Sequence, residues 1–228
     1  MNAVTRALPD EKAAEHRRRP RNARGEGARL AEDIVDGAMA IVERTDSVDA
    51  VTLRSVAREV GITAPSIYAH FPDREAILWA VSTRVFEHMT VAIRAAIDAV
   101  TPSDVVTRLV VGCEAYVAWG LAHPEWYRAL FARKFPSATD LTPTSGDGRL
   151  PPIGGEALST LIDSIEACVA QGVSTSADPF FDAVATWVAL HGIVSLWSTV
   201  CDFPWPTTEP FVRQLVLPLA HVDPTVAR

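Results

Sequence analysis

The sequence predicts an all-α protein, on three observations. No stretch alternates apolar and polar residues as a half-buried strand would, and apolar residues instead recur at three- and four-residue intervals through most of the chain. Proline, glycine and threonine fall between those runs, where helices start and stop. With 228 residues, 48% hydrophobic and 21% charged, the chain can bury a core without disulfides or metals.

A polar stretch through about residue 27 precedes the first helix, whose Leu30, Ile34, Ala38, Ile41 and Val42 share one face. Asp46 to Ala50 interrupts it. Thr52 is placed to cap a second helix with Leu53, Val56, Ala57 and Val60 on one side. Gly61 ends that helix by its access to the left-handed conformation, and Thr63 offers a cap to a third. Pro65 lies in the first turn, where its missing N–H costs nothing, and Phe71-Pro72 closes the helix because a residue before proline is pushed out of the helical region. Asp73 opens a long helix with Ile77, Val81, Val85, Met89, Ile93 and Ile97 inside, ending near Thr101-Pro102. Five more helices are expected over about 103–122, 124–135, 156–171, 178–201 and 208–219, with a long loop from Pro136 to Gly155.

The formal net charge of −7 is divided unevenly. Residues 1–74 hold 12 basic and 12 acidic side chains, and the remainder holds 9 and 16. Arg17, Arg18, Arg19, Arg21 and Arg24 follow one another without an acid between them, which concentrates positive potential in a short arm. Cys113, Cys168 and Cys201 lie in apolar stretches at no metal-ligand spacing and read as reduced core residues of a cytoplasmic protein. Ala183 to Cys201 carries no charge and is nearly long enough to span a bilayer. It contains Thr186, His191, Gly192 and Ser195, however, and is flanked by Asp182 and Asp202 rather than by basic residues. It reads as a helix covered by its own core and by a second copy of the chain, with no membrane partner. No His-Glu-x-x-His, Gly-x-Ser-x-Gly, phosphate-binding loop or Cys–His cluster is present, so no enzyme, catalytic residue, metal or cofactor is expected.

Two short helices joined by a tight turn at Gly61, with small Ala57 at their contact and Ile67 pinning the second, form a helix-turn-helix pattern. The segment TLRSVAREVGITAPSIYAHFPDREAIL, Thr52 to Leu78, resembles the signature of the TetR family of bacterial regulators, and the resemblance extends from Ala28 to about Ile97. Thr52, Val56 to Glu59, Gly61, Thr63, Tyr68, His70, Phe71 and Arg74 stand in the family's places, with Arg74 where lysine is common. The C-terminal half resembles a Trp-His-Gly-containing subgroup of TetR-like ligand-binding domains through HPEWYRALF, His123 to Phe131, and WVALHGIVSL, Trp187 to Leu196.

The resemblance implies a homodimer that binds double-stranded operator DNA and a C-terminal pocket for a small-molecule effector. On this reading residues 1–27 are a disordered basic arm, 28–74 the DNA-binding domain, and 75–228 a six-helix ligand-binding and dimerisation domain. A repressor released by its effector is expected; an architectural or activating DNA binder without a physiological ligand is the alternative.

Matching to the family motif makes Thr52, Thr63, Tyr68, His70 and Arg74 candidates for phosphate contacts. Between Gly61 and Asp73 no Arg, Lys, Asn or Gln is available to read a base edge. Ala64, Pro65, Ser66 and Ala69 remain; small apolar groups suit thymine methyls and Ser66 can donate or accept. Arg54 and the arm, through Arg17, Arg18, Arg19 and Arg21, are expected to supplement them, the arm in a minor groove. For the effector, the many aromatics between about 103 and 201 point to a pocket for a mostly apolar molecule, lined by some of Trp119, Trp126, Phe131, Trp187 and His191.

Overall fold

A computed structural model describes residues 26–131 and 154–223. The described residues form nine α-helices: α1 (Glu26–Thr45), α2 (Leu53–Val60), α3 (Ala64–Ile67), α4 (Arg74–Asp98), α5 (Val105–Ala122), α6 (Pro124–Phe131), α7 (Gly155–Ala170), α8 (Pro179–Thr199) and α9 (Thr208–Leu219). The interruption after α1 is one 3-10 turn, Val48–Ala50. Among the described residues the only extended pairing is an isolated bridge between Ser174 and Val222. The arginine arm and the segment 136–153 lie outside the described residues, as does the stretch through Phe135 that the sequence assigns to α6.

Local chemistry accounts for the helix boundaries. Thr52 and Ser55 cap α2 reciprocally: the Ser55 N–H donates to Thr52 Oγ1 at 3.0 Å and the Thr52 N–H to Ser55 Oγ at 2.8 Å. Gly61 ends α2 in the left-handed region at φ 73°, its N–H returning to the Ala57 carbonyl. Asp73, Asp104 and Asp178 cap α4, α5 and α8 through their carboxylates. The third helix is shorter than the sequence predicts. Its α-helical part stops at Ile67, and the N–H groups of His70 and Phe71 both converge on the Ile67 carbonyl at 2.9 Å. That tightening is what a chain approaching Pro72 must do, since Phe71 cannot stay helical.

The core is continuous from end to end. Helix α1 packs on α2 and α4, α4 on α5, and α5 on α7, α8 and α9, so that α5 is the central rod of the C-terminal half. Ile34, Ile67, Ile77, Met89, Leu109, Leu130 and Ile165 are fully buried, each stabilising by about 1.5–3 kcal/mol relative to exposure. Gly120 of α5 is required by close approach, because a Cβ there would meet Val194 of α8 at 2.7 Å and Tyr127 of α6 at 3.0 Å. Buried Asp182 on α8 is satisfied by Ser176 Oγ at 2.5 Å, with His221 Nε2 at 3.5 Å, and this ties the start of α8 to the turn after α9. Helices α5 and α8 are each long and apolar enough to cross a membrane by length and composition. Both are packed into the bundle, and α8 keeps its outward face, with Phe181, Val188 and Leu196, uncovered in the single chain.

Candidate DNA-binding face and effector site

The N-terminal face is built by α2, α3 and the turn between them. Val56, Ala57 and Ile67 are buried where the helices meet, and their opposite sides leave Thr52, Arg54, Thr63, Pro65, Tyr68 and Ala69 exposed. Tyr68 is 57% exposed, so its ring faces solvent rather than the helix interface. Ala64, Ser66 and His70 are half-buried at the edge of the same face.

Two expected contact residues are already engaged. Thr63 stands at the cap position of α3 but makes no bond to its backbone; its hydroxyl lies 2.8 Å from that of Ser66, so one hydrogen bond joins the two and leaves one hydroxyl hydrogen for another partner. Arg74 is drawn inward. Its Nε donates to the Val51 carbonyl at 2.6 Å and its Nη2 to that of Val48 at 2.9 Å, with Asp49 and Glu75 beside it at 3.4 and 3.2 Å. The guanidinium fastens the start of α4 to the 3-10 turn, using the forked donors that lysine lacks.

In the C-terminal half, α5, α6 and α8 bring a polar chain into the apolar interior. Trp187 Nε1 donates to Tyr116 Oη at 3.3 Å, Tyr116 Oη lies 2.8 Å from Tyr127 Oη, and Tyr127 Oη lies 2.7 Å from His191 Nδ1. Ser195 Oγ is 3.4 Å from His191 Nε2. Phe131 closes one side, edge-on to His191 with centroids 4.5 Å apart, 4.8 Å from Tyr127 and 6.4 Å from Trp187. Burial pushes the Tyr116 phenol up to about 12, raises that of Tyr127, and lowers the pKa of His191, so at neutral pH the whole chain is uncharged. Among the described residues no carboxylate or cationic side chain takes part in these contacts.

Of the expected lining residues, Phe131, Trp187 and His191 come together. Trp119 instead stacks on His123 at 4.6 Å, at the joint between α5 and α6, and Trp126 is buried on α6 outside the cluster's ring contacts. Tyr116, Tyr127 and Ser195 were not expected as site residues. Trp187, His191 and Ser195 recur at i, i+4 and i+8 on one face of α8, a signal present in the sequence. The two tyrosines meet only because the His123-Pro124 turn folds α6 back on α5.

The two ends of the molecule are connected by α4 and α6. Phe86 of α4 lies edge-on to Phe131, with centroids 6.0 Å apart at 83°. One residue after Tyr127, Arg128 reaches Asp46 at 2.6 Å, where α1 ends in a left-handed residue at φ 49°.

The comparisons with known proteins cover both halves. The description "Bacterial regulatory proteins, tetR family" matches residues 34–81, and "Tetracyclin repressor-like, C-terminal domain" matches residues 109–216. An uncharacterized HTH-type transcriptional regulator of Mycobacterium tuberculosis is 28% identical over 169 residues, 74% of this chain and 70% of its own. Among solved structures, a protein of unknown function from Rhodococcus sp. RHA1 superposes with a TM-score of 0.65 at 23% identity, over 84% of this chain and 91% of its own. RolR in complex with the ligand resorcinol gives 0.63 at 14% identity, over 88% and 91%. Both family matches fall on the elements that the geometry singles out, a helix-turn-helix on α2 and α3 and a helical domain built round α5 and α8: the chain belongs to the TetR family of bacterial transcriptional regulators.

Proposed function

We propose that the protein is a homodimeric cytoplasmic repressor that leaves its operator when a mostly apolar small molecule occupies the site formed by Tyr116, Tyr127, Phe131, Trp187 and His191. The observation that carries this reading is the double attachment of α6. The same short helix sets Tyr127 into the polar chain and Arg128 against Asp46 in the DNA-binding half. A ligand that moves Phe131 or Tyr127 therefore acts on α4 through Phe86 and on α1 through Arg128. An exposed ion pair of this kind is worth less than about 1 kcal/mol, so the packed Phe86–Phe131 contact carries the larger share of the coupling. A total coupling of about 1–3 kcal/mol is enough for release.

Dimerisation is assigned to the outward face of α8 together with α9, because Phe181, Val188 and Leu196 form an apolar row that a second copy would cover. Tyr68, Thr52, Arg54 and the arginine arm are assigned to operator DNA. The fold relative RolR holds a small phenol, which supports a compact aromatic ligand as the first compound to try.

The test is a titration of the full chain on an operator taken from beside its own gene, with resorcinol and related small aromatics. A true effector raises the melting temperature by mass action, quenches tryptophan fluorescence and lowers operator anisotropy. Trp187→Ala should blunt release while sparing operator binding. Full response to an effector in that variant would move the site elsewhere.

A further inference from the structure

We infer that the effector is held through a hydrogen-bond acceptor, a carbonyl or carboxylate oxygen on an apolar skeleton, which receives the Nε2–H of neutral His191. The inference rests on reading this cluster as the effector site, and it comes from the direction in which the polar chain must run.

An indole has a donor and no acceptor, so Trp187 Nε1 donates to Tyr116 Oη. Tyr116, having accepted, passes its own hydrogen to Tyr127 Oη at 2.8 Å, and Tyr127 passes its hydrogen to His191 Nδ1 at 2.7 Å. The reverse direction fails on accounting. With Nδ1–H donating to Tyr127, the three contacts would have to hold four hydrogens, so either Tyr116 or Tyr127 would accept twice while its own hydrogen pointed at nothing. Both phenols are buried, and a buried donor left unmade is costly. Nδ1 is therefore the acceptor, and the single ring hydrogen sits on Nε2.

That hydrogen is poorly used. Its partner, Ser195 Oγ, is 3.4 Å away, beyond the usual range for N–H···O. Burial keeps the ring from taking a second proton. The chain of donors thus starts at a half-exposed indole and ends in a weakly engaged N–H on a half-buried ring. An acceptor placed at Nε2 completes it. An ammonium group has no lone pair to accept that hydrogen and would set donor against donor, so amines of the same skeleton are excluded from the position.

Two measurements on the full-length protein decide this. Heteronuclear NMR of the histidine ring nitrogens reports the tautomer without any ligand: His191 should show the Nε2–H form, and Tyr127→Phe should relax that preference. A finding of Nδ1–H in the unliganded protein overturns the inference whatever the ligand proves to be. The second measurement is thermal shift with matched compounds, namely toluene, acetophenone, benzoate and benzylamine, then decane, methyl decanoate, decanoate and decylamine. Within at least one series the oxygen acceptors should bind about fivefold to tenfold more tightly than the hydrocarbon, an advantage lost in His191→Ala. Binding of the amine as tight as that of the carbonyl compound overturns the inference. With the tautomer found as inferred, a failure of every compound to shift melting counts against the effector-site reading itself, and the inference falls with it.

Discussion

Arg74 has a role within the fold that its place in the motif does not show. Its place in the motif points to phosphate, but its guanidinium is spent on the carbonyls of Val48 and Val51. Arg74→Ala should therefore cost about 1–2 kcal/mol of stability, measured by chemical denaturation without DNA, and Arg74→Lys should recover only part of it. Unchanged stability with weakened operator binding would return Arg74 to the phosphates. His191 gives a second expectation at this scale. Its pKa is lowered by burial, so below the ordinary histidine value the unfolded chain takes up a proton that the folded chain resists. The site costs nothing above that value, and stability falls as the pH drops through it. His191→Asn, which keeps an acceptor where Nδ1 was, should lose less stability between pH 7.5 and pH 5.5 than the parent, as compared by unfolding midpoints. An equal loss would mean that other groups set the acid sensitivity.

Among elements, what was legible in the sequence depended on distance along the chain. The helix-turn-helix could be read because Thr52, Ala57, Gly61 and Ile67 act on near neighbours, through a cap, a close contact, a left-handed turn and a buried pin. In the aromatic cluster, Phe131 of α6 was expected only as one of many aromatics, and a spacing signal exists on α8 alone, where Trp187, His191 and Ser195 share a face. Nothing local pairs Tyr116 with Tyr127, because that choice is made by the angle at which α6 returns to α5, whereas the stack of Trp119 on His123 is an i, i+4 contact within reach of the sequence. Helix α3 carries an expectation of its own. With Thr63 and Ser66 bonded to each other, Pro65, Tyr68 and Ala69 are the exposed side chains outside that pair, and base discrimination is expected to fall mainly on thymine methyls. Replacing thymine by uracil at the contacted positions should weaken operator binding about fourfold per methyl, the transfer value of one buried carbon. Equal affinity for the uracil duplex would assign discrimination to Arg54 or the arginine arm.

For the whole molecule, α8 fixes what the single chain leaves unfinished. Phe181, Val188 and Leu196 are 67%, 60% and 48% exposed along one side of a helix whose only charged residue, Asp182, is buried. Val188→Asp should convert the dimer to monomers in sedimentation at micromolar concentration, and operator affinity should fall with it, because each half-site would then be held alone. A variant that stays dimeric would place the interface elsewhere. The charge division acts at the same scale. Residues 75–228, with 9 basic and 16 acidic side chains, should be repelled by DNA while the arginine arm is drawn to it, so the molecule is expected to arrive with its helix-turn-helix leading. Arrival is then followed by fit, and there the length of α4 matters. Twenty-five residues make a rod of about 37 Å, anchored at one end beside α3 and braced partway along by Phe86. Swung about its far end by roughly 5°, such a rod carries its near end some 3 Å, about the rise of one base pair. On the proposed release mechanism, a shift at Phe86 about half as large, passed on from Phe131, would set the two reading heads about one step out of register with the groove.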